Sequence, residues 1–272
     1  MVKMGTVWDR TVEVLNGRTG MIASIALLGM LVPSVVRDGF VAFSTPGTVS
    51  FALVGGVLTI AALVTMIWAQ LAIVAIATDP ATDAAAARHQ AGGRLLPAIG
   101  ITVLLSVVAG LLVLPPIVAL ALAGFDFTAA ASGRPVATPG LGSAALFSAL
   151  YVLAYLVLAL WAGARLILLN PVILNERVGI GAFRRSIQLT RGLTWQIIGV
   201  LILFVIVALV STWAAQAVTG IIFRLALGAD SIVTATFLAG IAGTIVTTAF
   251  TALAAVFTAQ LYIAVREKSV TP

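Results

Sequence analysis

Cysteine is absent from this 272-residue chain, and histidine occurs only once, at His89. Without cysteine there can be neither a disulfide nor a thiolate metal site, and a single histidine cannot build a histidine-rich one. We therefore expect no metal ion and no cofactor. Charge is also scarce, because 9% of the residues are charged, whereas soluble proteins carry about 25%. A soluble protein of this length would need a polar shell that this chain lacks.

Apolar residues make up 61% of the chain. Since a helix needs roughly 20 apolar residues to cross about 30 Å of hydrocarbon, the sequence predicts an all-α integral membrane protein with six transmembrane helices. The spans are expected at about 20–36, 49–77, 95–124, 144–174, 195–222 and 232–264. They form a domain at 19–265, preceded by an interfacial helix at 1–18 and followed by a cytoplasmic tail at 266–272. Pro115–Pro116 should kink or end the third helix, and Asn170–Pro171 should interrupt the fourth.

The basic residues predict the orientation. With six spans, twelve of the fifteen Lys and Arg residues fall on the side that holds both termini, and only Arg37, Arg134 and Arg224 fall on the other. The twelve are Lys3, Arg10, Arg18, Arg88, Arg94, Arg165, Arg177, Arg184, Arg185, Arg191, Arg266 and Lys268. Asp38, Asp126 and Asp230 balance the other three. The positive-inside rule puts both termini in the cytoplasm, with a surface suited to anionic lipid and not to nucleic acid.

Short amphipathic helices are expected on the cytoplasmic side. Gly5–Arg18 is one, and Gly181–Arg191 is a second, in which Phe183 and Ile187 lie one turn apart. After the second span, Asp79–Pro80 resembles a helix start, and Gly92–Gly93 should end that helix.

The sixth span carries a regular row of small residues every four positions. The row is Ala235, Ala239, Gly243, Thr247, Thr251, Ala255 and Ala259. Such rows let membrane helices approach closely. We expect them to serve packing within the chain, while a homo-oligomer seam, a protein partner or a substrate path remain alternatives.

Residues 165–199 carry a more specific pattern, which runs from Arg165 through Asn170–Pro171 and Glu176 to Ala182-Phe-Arg-Arg-Ser186 and then Arg191-Gly-Leu-Thr-Trp195. It resembles the membrane domain fused to some bacterial glycerophosphodiester phosphodiesterases, which also occurs alone. The resemblance covers about 35 residues in detail and implies association with lipid or the cell envelope. It does not imply hydrolysis, because the phosphodiesterase is a separate soluble barrel.

No catalytic constellation is present in the sequence, since phosphodiester hydrolysis needs clustered carboxylates or paired histidines and the nine acidic residues are dispersed. Arg165, Arg184, Arg185 and Arg191 are the candidate ligands for lipid phosphate. Arg165 could instead pair with Glu176 or extend to the headgroups. For the other arginines the alternative is a purely topological role.

The sequence therefore favours a non-catalytic, multi-pass scaffold or regulator that contacts anionic membrane lipids through basic helices. Two alternatives remain open, a transporter or lipid flippase and a membrane subunit of a larger complex.

Overall fold

The computed structural model describes residues 3–131, 142–176, 178–228 and 231–270, and all secondary structure in these ranges is helical. Arg134, Arg177, Asp230 and the last two residues of the expected tail lie outside the described residues. The helices are α1 (Met4–Ala26), α2 (Val32–Phe43), α3 (Val49–Thr78), α4 (Ala84–Leu122), α5 (Phe127–Ala131), α6 (Gly142–Leu166), α7 (Leu169–Glu176), α8 (Gly181–Leu189), α9 (Thr194–Leu227) and α10 (Ile232–Val270).

Within the described ranges, six helical stretches are long and apolar enough to cross a membrane, which indicates a multi-pass membrane protein. They are Met4–Phe43, Val49–Thr78, Ala84–Leu122, Gly142–Glu176, Thr194–Leu227 and Ile232–Lys268. Large apolar side chains are exposed along them, as at Leu203 and Leu209 in the middle of α9. Such surfaces are stable against hydrocarbon and not against water.

The first stretch is irregular at two places. Its backbone leaves the helical region at Arg18 (φ −134°, ψ 21°), and a π-helical segment at Leu27–Leu31 joins α1 to α2. Gly29 in that segment packs so closely on α3 that a Cβ added there would lie 2.6 Å from the Cβ of Ala69. The π segment is therefore held by direct helix packing.

The structure corrects the helix end expected at Gly92–Gly93, and of the kink or end expected at Pro115–Pro116 it excludes the end. α4 begins at Ala84, where the Asp83 carboxylate accepts from the Ala86 N–H over 2.7 Å, and it passes without a break through Gly92–Gly93. It also continues past Pro115–Pro116 to Leu122. The fourth stretch is interrupted as expected, at residues 167–168, so that Pro171 lies in the first turn of α7. Proline is tolerated there because the first N–H groups of a helix have no helical acceptor.

The chain divides into two compact units, one formed by Met1–Ile99 with Arg165–Pro272 and the other by Gly100–Ala164. In the second unit, Tyr151 and Ser148 of α6 donate to the carbonyl oxygens of Leu112 (2.8 Å) and Pro116 (3.3 Å).

Asp126 begins the short helix α5 of the second unit. The Thr128 hydroxyl and the Ala129 N–H donate to its carboxylate and lower its pKa.

α10 is central to the first unit, where it packs against α9, α1, α3 and α2. Ala235, Ala239, Gly243, Ala255 and Ala259 of its small-residue row are buried. Thr251 is partly buried, and Thr247 is exposed but lies within 3.5 Å of the Thr212 hydroxyl on α9.

The row contacts α9 closely at two points. The Gln216 side chain lies directly over Gly243. A Cβ added at Gly220 would stand 3.5 Å from that of Ala239. This part of the row therefore serves packing between α9 and α10 within the chain.

Candidate functional site at the basic end

The loops and helix ends that carry most of the basic residues meet at one end of the first unit, which we call the basic end. It comprises the start of α1, the α3–α4 connection, α7, α8 and the last turns of α10. Arg10 of α1 contacts Glu267 of α10 over 3.3 Å, and Arg18 contacts the end of α3. The four arginines proposed from the sequence as phosphate ligands all lie here.

Arg165 is the first of two candidate arginines that hold α8 in place. Because the helix breaks just after Arg165, the carbonyl oxygen of this residue is open to side chains, and it accepts from Ser186 Oγ (2.8 Å) and Thr190 Oγ1 (3.3 Å). Both donors are fully buried. The Arg165 guanidinium in turn donates to the Ile187 carbonyl oxygen over 3.4 Å. Arg165 and α8 are thus joined by three hydrogen bonds.

A second set of contacts joins α7, α8 and α10. Arg185 Nε donates to Glu176 Oε2 over 2.7 Å, and the Tyr262 hydroxyl donates to Glu176 Oε1 over 3.1 Å. Tyr262 is 2% exposed. Glu176 therefore pairs with Arg185 and Tyr262, whereas the partner considered for it from the sequence is Arg165. The sequence alone does not mark Tyr262 as a site residue, because a tyrosine near a helix end is ordinary in a membrane protein.

The other two arginines point outward. Arg184 and Arg191 are exposed on the side of α8 that also carries Gln188. Apolar side chains are exposed beside them: Ile187 at 43%, and Trp195 in the first turn of α9 at 83%. We call these five residues the α8 surface. A surface that mixes guanidinium groups with large apolar side chains suits the interface between headgroups and acyl chains.

The end of α3 is capped by side chains from two other helices. Arg18 Nη1 donates to the carbonyl oxygens of Ile76 (2.7 Å) and Asp79 (3.1 Å), and Nη2 donates to that of Pro80. Gln260 Nε2 donates to the Ala77 carbonyl oxygen over 2.7 Å. A cation at a helix C-terminus is also favoured by the helix dipole. The sequence does not distinguish Arg18 from the other basic residues predicted on this side of the membrane, or Gln260 from the other glutamines in the spans.

Asn170 of α7 donates to the Gln70 side chain of α3 over 3.0 Å, which adds a further polar link between neighbouring helices.

Within the described ranges, no three His, Asp or Glu side chains are grouped closely enough to hold a metal ion.

Comparison with known proteins gives no match to a protein-family model, a curated protein or a solved structure. The resemblance seen at residues 165–199 therefore remains a prediction.

Proposed function

We propose that this chain is a non-catalytic protein of the bacterial cytoplasmic membrane, acting as a lipid- or envelope-associated scaffold or regulator that contacts anionic phospholipid through the α8 surface. The observation that carries the proposal is the exposure of Ile187 and Trp195 beside Arg184 and Arg191. The same helix buries Ser186 and Leu189 on its other side.

The chemistry of this surface fits lipid phosphate. Guanidinium groups bind phosphate oxygens through paired N–H donors, and each basic residue near an anionic leaflet contributes about 1 kcal/mol. The Trp195 ring suits the interfacial depth. Arg165 and Arg185 contribute indirectly, because their contacts with Ile187 and Glu176 fix the position of α8.

The charge distribution supports a cytoplasmic location for the basic end. Positive residues flanking spans are retained on the cytoplasmic side, and Arg10, Arg18, Arg184 and Arg191 gather at this end. The cytoplasmic leaflet is the one that carries a negative surface potential. Orientation and lipid contact are therefore consistent with each other.

A transporter would use helices broken near the middle of the bilayer to line a substrate cavity. The break at residues 167–168 lies instead beside Arg165 at the basic end. The π segment lies deeper, but Gly29 packs there directly against Ala69. Both irregularities fit a packed scaffold better than a transport path.

The experiment is lipid retention by the purified full-length chain in nanodiscs that contain a minor fraction of anionic phospholipid. Arg184→Ala/Arg191→Ala should lose about 2 kcal/mol of binding, roughly a thirtyfold weaker retention of anionic lipid. Arg88→Ala/Arg94→Ala removes the same charge from the same end and should change retention much less. Equal losses in the two double variants would reduce the α8 surface to a share of general charge and overturn the proposal.

A further inference from the structure

A cleft of about 470 Å³ opens at the basic end, apart from the α8 surface. Its walls come from α1, the last turn of α3 and α10, and they include Arg10, Glu13, Gly17, Arg18, Gln260 and Ile263. The volume falls within the range of small-ligand sites, about 300 to 1,000 Å³. Both donors that cap the end of α3 therefore also line this cleft.

Gln260 presents an unused acceptor to the cleft. The residue is 95% buried (relative exposure 5%), and its Nε2 is committed to the Ala77 carbonyl oxygen. Its Oε1 accepts no hydrogen bond from any described residue, and Gln260 is one of the residues that line the cleft. Because a buried amide oxygen normally finds a donor, the cleft calls for a ligand that brings an N–H or O–H group.

The charged groups on the walls come in both signs. Arg18 uses three of its five N–H groups on backbone oxygens, so two remain for a ligand. Arg10 forms an ion pair with Glu267. Glu13 forms no ion pair within the described part of the chain and offers a carboxylate. The walls thus carry two guanidinium groups and one carboxylate, that of Glu13, while Glu267 pairs with Arg10 from outside the lining. Charges of both signs side by side favour a zwitterion over a simple anion.

The position of the cleft suits a lipid headgroup. It lies at the ends of α3 and α10, next to the polar connection that contains Pro80, and Val14 and Ile263 supply apolar walls. Gly17 keeps the α1 side open, since a Cβ added there meets no atom within 4 Å.

We infer that this cleft binds the headgroup of an aminophospholipid, with the phosphate at Arg10 and Arg18 and the ammonium group at Glu13 and Gln260. The ammonium group supplies the donor that Gln260 Oε1 lacks and the positive charge that Glu13 lacks. A glycerol headgroup has hydroxyl donors but no cation for Glu13, so it fits less well. The inference is independent of the α8 surface, where the residues are basic and the expected lipid is anionic.

The test is native mass spectrometry of the full chain in detergent, titrated with phosphatidylethanolamine and phosphatidylglycerol of identical acyl chains. In the Arg184→Ala/Arg191→Ala background, which removes anionic-lipid binding at the α8 surface, the protein should bind phosphatidylethanolamine more tightly than phosphatidylglycerol. Gly17→Leu fills the cleft and should weaken that binding at least tenfold. Gly20→Leu is the matched control, because Gly20 is also exposed on α1 with nothing within 4 Å, but it lies outside the cleft.

Glu13→Gln provides a second variant, at an exposed position. It should remove the preference for phosphatidylethanolamine while leaving phosphatidylglycerol binding unchanged. Equal binding of the two lipids in the Arg184→Ala/Arg191→Ala background, or equal loss in the two leucine variants, would overturn the inference. Binding of soluble phosphoethanolamine as tight as that of the lipid would assign the cleft to a free metabolite and overturn the lipid assignment. By itself, Arg184→Ala/Arg191→Ala should weaken phosphatidylglycerol binding and leave phosphatidylethanolamine binding unchanged, which separates this site from the α8 surface.

Discussion

The Tyr151 hydroxyl donates to the carbonyl oxygen of Leu112 over 2.8 Å, and Leu112 is the residue whose helical partner would be the missing N–H of Pro116. A proline inside a helix leaves the carbonyl four residues earlier without a donor. In hydrocarbon no water can take that place. Tyr151 of α6 therefore supplies the donor that Pro116 lacks.

Tyr151→Phe should lower the free energy of unfolding by about 1 kcal/mol, the size of an interhelical hydrogen bond in a membrane. Tyr155→Phe, one turn further along α6 and without a hydrogen bond among the described residues, should have almost no effect. Denaturation with sodium dodecyl sulfate would measure both. In a Pro116→Ala background the backbone N–H returns, so Tyr151→Phe should then be close to neutral. An unchanged cost in that background would show that Tyr151 acts through packing alone.

Gln260→Leu should destabilise the fold, because it removes the donor to the Ala77 carbonyl oxygen at the end of α3. A buried acceptor left without its donor costs about 1 to 3 kcal/mol. Gln196→Leu is the control, since Gln196 is exposed and forms no hydrogen bond with the described residues. The two midpoints of thermal unfolding in the same detergent should differ clearly. Equal midpoints would mean that water donates to the Ala77 carbonyl oxygen when Gln260 is absent.

Much of the fold follows from local sequence, while the contacts of the site do not. Span length and apolar content are sufficient to predict six membrane-spanning helices, and the period of Phe183 and Ile187 predicts α8. In contrast, Gln260 and Ala77 are 183 residues apart, and Tyr262 and Glu176 are 86 apart. No pattern within one helix reveals such pairs.

The prolines of α4 are a second example, because a side chain of another helix compensates for the N–H that a proline lacks. Local propensity predicts a kink or an end at Pro115–Pro116, yet α4 continues, and Tyr151 supplies from α6 the donor that Pro116 lacks. Among the four candidate arginines, only three-dimensional structure separates Arg185, paired with Glu176, from its exposed neighbour Arg184.

These adjacent arginines should respond differently to the same substitution. Arg185→Ala leaves the Glu176 carboxylate, whose side chain is only 19% exposed, without this cation and should cost about 2 kcal/mol of stability. Arg184→Ala should change stability by less than about 0.5 kcal/mol, as surface substitutions do. Lipid retention should show the reverse order, with the larger loss for Arg184→Ala once Arg185→Ala is compared at a temperature where it stays folded. The same order in both measurements would refute this division of roles.

Gly29→Ala should destabilise the protein even though alanine is the better helix former. The added Cβ would stand 2.6 Å from the Cβ of Ala69 and 3.2 Å from the Thr65 carbonyl oxygen, so the π segment and α3 must separate. Overpacking of this kind costs about 1 to 3 kcal/mol. Gly56→Ala, on an exposed position of α3 with nothing within 4 Å, should be neutral or slightly stabilising, since alanine is favoured over glycine by about 1 kcal/mol. Unfolding free energies of the two variants would settle the comparison.

The orientation can be tested cleanly because the chain has no native cysteine. Ala85→Cys lies at the start of α4 at the basic end, and Thr45→Cys follows α2 at the other end of α3; both positions are exposed. If the basic end is cytoplasmic, a membrane-impermeant maleimide added to intact spheroplasts should label Thr45→Cys and leave Ala85→Cys unlabelled until the cells are lysed. The inverse pattern would place the basic end outside. The α8 surface would then face a leaflet without the negative potential that its arginines require, and the proposed lipid contact would fail with the orientation.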